Sequence, residues 1–144
     1  MPSDTQPVTV TVSKGMLWSG GVMSAVAVLF LLMDAVLKLV KPDIVVRTTV
    51  QLGYPESVIL GLGLVLLTCT VLYLIPRTSV LGAILLTGYL GGAVATHVRV
   101  GDGLFAVVFP VIMGALLWGG LFLRDGRLRD LIPVRSQQRL TTHG

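Results

Sequence analysis

The chain has 144 residues, enough for one domain; 53% are hydrophobic and 12% charged, with a formal net charge of +4. A charged share roughly half that of an ordinary soluble domain leaves too little polar surface for a water-soluble fold. The positive balance does not point to nucleic acid either, because the basic residues flank apolar stretches, as they do in membrane proteins.

Residues 1–14 read as a polar N-terminal tail containing Pro2 and Pro7. From there the chain holds four stretches without Asp, Glu, Lys or Arg, at residues 15–33, 57–76, 78–98 and 103–123. Each has the roughly 20 residues that a helix needs to cross a hydrocarbon core. The expectation is an all-α integral membrane four-helix bundle over residues 15–123, with spans at about 15–39, 55–75, 79–98 and 104–123. Ala25-Val26-Ala27 imitates a leader-peptidase site after Lys14. The apolar run continues past it to Met33, however, so the first span is read as uncleaved.

Between spans one and two, Pro42 suits a first helical position and Asp43 the positive end of a helix dipole. Val46 and Val50 lie one turn apart, and Gly53 can stop a helix. These features predict a short interfacial helix there. The links at residues 76–78 and 99–103 are too short for anything but tight antiparallel connections. Lone Cys69 has no partner for dithiol exchange and reads as a packing residue.

An even number of spans places both termini on one side. That side carries Lys14, Arg77, Arg124, Arg127, Arg129, Arg135 and Arg139, against Lys38, Lys41, Arg47 and Arg99 on the other. Positive residues near span ends stay inside, so both termini are expected in the cytoplasm. The basic segment 124–144 reads as a solvated tail able to meet anionic headgroups. Trp18 and Trp118 read as anchors near the inner interface.

Polar groups gather at the outer level. Asp34 and Lys38 share a face of span one, Tyr54 and Glu56 stand at the mouth of span two, and span three ends in His97 and Arg99, followed by Asp102, with Tyr89, Thr96 and Arg99 along one stripe of that helix. The inner half shows nothing comparable. A lone charge at a helix centre costs ~2.5–3.5 kcal/mol on insertion scales. Lys38 can extend toward water, whereas the short Asp34 side chain needs a partner among Lys38, His97 and Arg99. Two readings stand side by side. One is a structural salt bridge that fixes helix register. The other is a pocket in which Asp34 and His97 form a proton-transfer pair and Lys38, Tyr54, Tyr89, Thr96 and Arg99 bind a ligand. No phosphate-loop, dinucleotide, zinc-protease or serine-hydrolase motif is present. Two histidines, His97 and His143, make no metal or haem centre, so no cofactor is evident beyond a quinone. Small residues at helical spacing, Gly88 with Gly92, Gly91 with Ala95, and Ala115 with Gly119, suit close helix packing within the bundle or a homo-oligomer face.

The run Leu-Tyr-Leu-Ile-Pro-Arg-Thr from Leu72, and Thr-Gly-Tyr-Leu-Gly-Gly-Ala-Val-Ala-Thr-His-Val-Arg from Thr87, resembles the DoxX-like family of bacterial membrane proteins. Leu-Gly-Tyr-Pro from Leu52, the segment from Asp34 to Lys38 and Trp-Gly-Gly-Leu-Phe-Leu-Arg-Asp from Trp118 extend the likeness over about residues 16–133. The resemblance implies a four-helix membrane bundle. It also implies a link to quinone-dependent oxidoreduction, to redox partners or to membrane-protein assembly, without assigning roles to Asp34, Lys38, His97 or Arg99. Lacking a cysteine pair, the chain cannot perform the dithiol chemistry proposed for distant relatives. The leading expectation is a membrane subunit of an oxidoreductase system that binds a small apolar molecule such as a quinone. A non-catalytic membrane interaction or assembly protein, and a stand-alone isomerase using Asp34 and His97 as acid and base, stay open.

Overall fold

The computed structural model describes residues 13–131. Most of the N-terminal tail, and the end of the basic tail with Arg135, Arg139 and His143, lie outside the described residues. Among the described residues six α-helices follow in order: α1 Lys14–Val40, α2 Asp43–Gln51, α3 Ile59–Leu74, α4 Ser79–Val100, α5 Leu104–Arg124 and α6 Gly126–Leu131. A single 3₁₀ turn, Glu56–Val58, leads into α3. No strand occurs among the described residues.

Four of these segments, of 27, 19, 22 and 21 residues, are long and apolar enough to cross a membrane. At a rise of about 1.5 Å per residue even the shortest reaches roughly 29 Å, and the longest roughly 40 Å. Their outward surface confirms the environment. Leu29, Phe30, Val65, Ile84 and Val111 are exposed, an arrangement that water would penalise and lipid does not. The protein is a multi-pass membrane four-helix bundle.

The four spans form a ring in which α1 packs on α3 and α5, and α4 packs on the same two helices. Helices α1 and α4 therefore face each other across the bundle axis. The core between them holds Ala27, Leu31, Leu66, Tyr73, Leu86, Leu90, Met113 and Leu117. Close approaches between helices need glycine at Gly20, Gly63, Gly82 and Gly120, most tightly at the last two. A Cβ on Gly82 would stand 2.3 Å from the backbone nitrogen of Tyr73, and one on Gly120 would stand 2.2 Å from the Ser24 hydroxyl. By contrast, Gly88, Gly91 and Gly92 have no heavy atom within 4 Å of where a Cβ would lie. Close packing inside the bundle thus runs through Gly82 and Gly120, not through the Gly88/Gly92 pair that its spacing suggested.

Two further expectations are corrected. The half of the bundle near the termini was expected to lack a polar cluster. It holds one that ties three spans: Tyr73, 1% exposed, donates to the Leu117 carbonyl (2.8 Å) and accepts from the Ser24 hydroxyl (2.8 Å). The Arg124 guanidinium lies 5.7 Å from the Tyr73 ring centre. The segment after α5 was expected to be solvated, yet α6 folds back on the bundle. Leu128 enters the core, and Arg129 donates to the carbonyls of Phe122 (3.0 Å) and Leu123 (2.8 Å). A helix end leaves such carbonyls without intrahelical donors, and a basic side chain is a standard partner for them. Trp118, read as an anchor, donates from Nε1 to the Thr87 hydroxyl across α5 and α4 (2.8 Å).

Candidate functional site

At the end of the bundle away from the termini, the connection between α1 and α3 builds a roof. Lys41 ends α1 in a left-handed conformation (φ 53°), and Pro42 keeps the helix from continuing. Pro42 is the cap preceding α2, one position earlier than its propensity suggested, and Asp43 opens the helix. Gly53, at φ +84°, turns the chain out of α2 toward Tyr54. Lys41 pairs with Glu56 at 3.5 Å, bracing the two ends of this connection.

Beneath the roof lies a cavity of about 470 Å³, within the range of small-molecule sites. Val45, Thr48, Thr49 and Leu52 from α2 and its C-cap cover it. Phe30, Leu31, Leu62, Leu90, Phe109, Pro110 and Met113 make an apolar wall, with Phe30 and Phe109 tilted against each other at 4.8 Å between ring centres. Pro110 sits inside α5 and lacks the amide that would otherwise bond the carbonyl four residues earlier.

Polar groups concentrate toward the roof. Asp34 lies six residues before the end of α1, about 9 Å along the helix axis, and forms an ion pair with Lys38 one turn on. Of the three partners open to Asp34, Lys38 is the one it takes. The Lys38 side chain turns back to the carboxylate and is 16% exposed, less than the 39% of Asp34. The Thr96 hydroxyl donates to the Gly92 carbonyl (2.9 Å), so the Tyr54 hydroxyl is the donor in its 2.8 Å bond to Thr96. That bond joins the α2–α3 connection to α4.

His97 finds a partner that spacing alone did not single out. Gly101, at φ +74°, ends α4 and reverses the chain, whereupon the Asp102 amide bonds the His97 carbonyl (3.0 Å). The Asp102 carboxylate then meets His97 Nδ1 at 2.6 Å. With Nδ1 committed, Nε2 is the ring nitrogen left without a protein partner among the described residues. The Tyr89 hydroxyl likewise makes no hydrogen bond among the described residues, and it too lines the cavity.

The structure therefore brings Asp34, Lys38, Tyr54, Tyr89, Thr96 and His97 around one cavity. It does not bring Asp34 and His97 into a hydrogen bond with each other, because Lys38 and Asp102 are their partners. Arg99 stands outside the lining. Its Nη2 donates to the Leu52 carbonyl at 2.8 Å and sits 3.1 Å from where a Cβ on Gly53 would be. The backbone at the end of α2 takes the guanidinium, so Arg99 holds the roof in place of touching what lies beneath it. Sequence reasoning missed the α2 side chains Val45, Thr48, Thr49 and Leu52 as lining residues. Their spacing along a short amphipathic helix was the available signal, but it was read as a membrane-surface face.

A family model described as the DoxX-like family matches residues 22–120, a segment that contains every cavity-lining residue. No curated protein and no solved structure matches the chain.

Proposed function

The chain belongs to the DoxX-like family, and from that membership and the cavity together we propose that it is a membrane subunit of an oxidoreductase system, holding a small lipophilic molecule of the quinone class. It sits in a bacterial inner membrane with both termini cytoplasmic and the cavity in the outer half. The observation that carries this reading is a cavity with an apolar wall, built on Phe30, Phe109 and Met113, and a polar lining in which Tyr89, at mid-α4, and His97, near its end, retain hydrogen-bonding groups without a partner among the described residues. A ring bearing oxygen atoms fits that combination: its faces lie on aromatic and aliphatic side chains while its oxygens reach donors.

A quinone supplies uptake and release of electrons together with protons. The chain's own part is to bind, orient and hold protons. Asp102 accepts from Nδ1–H and fixes the imidazole, so His97 Nε2 accepts from a ligand hydroxyl when the ring is neutral and donates to a ligand oxygen when the ring carries a second proton. Tyr89 offers its hydroxyl to a second oxygen. The Asp34–Lys38 pair sets a polar boundary against which the ligand head stops. Since Asp34 and His97 are engaged with separate partners, they serve different parts of the ligand; a single acid–base pair acting on one atom, as an isomerase would need, is the poorer fit.

Titration of purified protein in lipid nanodiscs with a benzoquinone carrying a ten-carbon chain tests the reading. Saturable binding by the wild type is expected, weakened roughly tenfold by His97→Ala or Tyr89→Phe, the scale of one lost hydrogen bond. Purely linear partitioning, identical in all three proteins, would remove the proposal.

A further inference from the structure

The cavity is not closed on every side. On α4, Gly82 and Tyr89 are seven residues apart and share a stripe; Gly82 lies against Tyr73, so this stripe faces α3. Thr87 lies on the opposite flank and bonds Trp118 of α5. Gly92 lies round from the α3 stripe toward the lipid, on the side away from Thr87. Both Gly88 and Gly92 line the cavity, both are exposed, and neither has a heavy atom within 4 Å of a Cβ position. From α3, only Leu62 reaches the same cavity.

The α3–α4 pair is therefore in backbone contact at Gly82 and leaves a gap two to three turns further along α4. The Tyr54–Thr96 hydrogen bond closes the gap toward the roof, and Tyr73 closes it toward the termini. Glycine inside a helix costs about 1 kcal/mol relative to alanine. At Gly20, Gly63, Gly82 and Gly120 that cost is matched by a close helix contact; Gly21, Gly61 and Gly91 meet open space too, but they do not line the cavity. At Gly88 and Gly92 no contact exists, and what their missing side chains leave is an open edge to the cavity.

We infer that the cavity opens sideways into the membrane between α3 and α4, and that its ligand carries a hydrocarbon chain that leaves past Gly88 and Gly92 into the lipid. This rests on the quinone reading above and narrows it to chain-bearing members. The polar head enters from the membrane, passes the glycines and stops at Tyr89, His97 and the Asp34–Lys38 pair, while the chain stays in the hydrocarbon phase it came from.

Two benzoquinones with the same ring, one carrying a ten-carbon chain and one without it, test the inference on the full-length protein. The variants are Gly92→Leu and Gly88→Leu, which place a side chain in the gap. Gly91→Leu is the control, because Gly91 also meets open space but does not line the cavity. Gly92→Leu is expected to weaken the chain-bearing compound about tenfold or more while changing the chainless one by less than about twofold. Gly91→Leu is expected to bind both as the wild type does. Equal effects on the two compounds, no effect on either, or the same loss in Gly91→Leu would overturn the sideways opening while leaving the quinone reading in place. Failure of the wild type to bind either compound would overturn both.

Discussion

Replacing Lys38 with methionine separates an ion pair that holds the fold from a charge that merely sits at a membrane boundary. The substitution keeps the length and apolar stem of the side chain and removes its ammonium, leaving Asp34 alone about 9 Å inside the end of α1. An unpaired acid at a helix centre costs ~2.5–3.5 kcal/mol, and less toward the interface. Since the Asp34 side chain is 39% exposed, water reaching it through the cavity reduces that figure, and a loss of about 2 kcal/mol is expected. Asp34→Asn should cost less than about 1 kcal/mol, because the remaining ammonium sits on a long stem that can swing toward water. The double variant should then be more stable than Lys38→Met alone, since it leaves no uncompensated charge. Reversible unfolding in mixed micelles of increasing denaturing-detergent fraction measures all three. Additive losses, with the double variant the least stable, would refute the coupling and reduce both residues to independent surface charges.

Other perturbations follow from the packing. Gly82→Ala puts a Cβ into the backbone of Tyr73 and should prevent accumulation of folded protein, whereas Gly91→Ala should match or exceed the wild type in thermal stability; a well-behaved Gly82→Ala would contradict the tight α3–α4 crossing. Tyr73→Phe removes two buried hydrogen bonds and should lower stability by about 1 kcal/mol at ~0.6 kcal/mol per bond, with ligand binding unchanged because the cavity lies in the other half. Arg99→Ala frees the Leu52 carbonyl and should raise hydrogen–deuterium exchange across residues 43–52 while leaving α3 and α4 protected; unchanged exchange would show that Arg99 does not secure the roof.

The spans were legible because absence of charge over about 20 residues is a strong and local signal. The roof helix was legible for the same reason of locality: Pro42, Asp43 and Gly53 act on their own backbone. What the sequence concealed was non-local. Small residues recur on several faces of α4 and α5, and spacing alone cannot say which face meets a neighbour; Gly82 and Gly120 do so, while Gly88 and Gly92 border the cavity. The Ser24–Tyr73–Leu117 cluster draws on three spans and includes a backbone carbonyl, which carries no residue signature. Arg99 was misassigned to the ligand for the same reason, its acceptor being the carbonyl of Leu52. The gathering of Asp34, Lys38, Tyr54 and His97 toward one end was readable from depth along the helices, whereas Tyr89, at mid-α4, reaches the same cavity from deeper in the bundle. The pairing of His97 with Asp102 was not, because it depends on the chain reversal at Gly101.

In the function proposed above, the cavity holds a lipophilic molecule by its polar end. Native mass spectrometry of protein extracted gently from its own membrane, wild type beside folded His97→Ala and Asp34→Asn, tests it most directly. The wild type is expected to carry one defined small molecule of quinone class, and both variants to have lost it. A wild type that carries nothing, or a molecule retained equally by all three proteins, would contradict it.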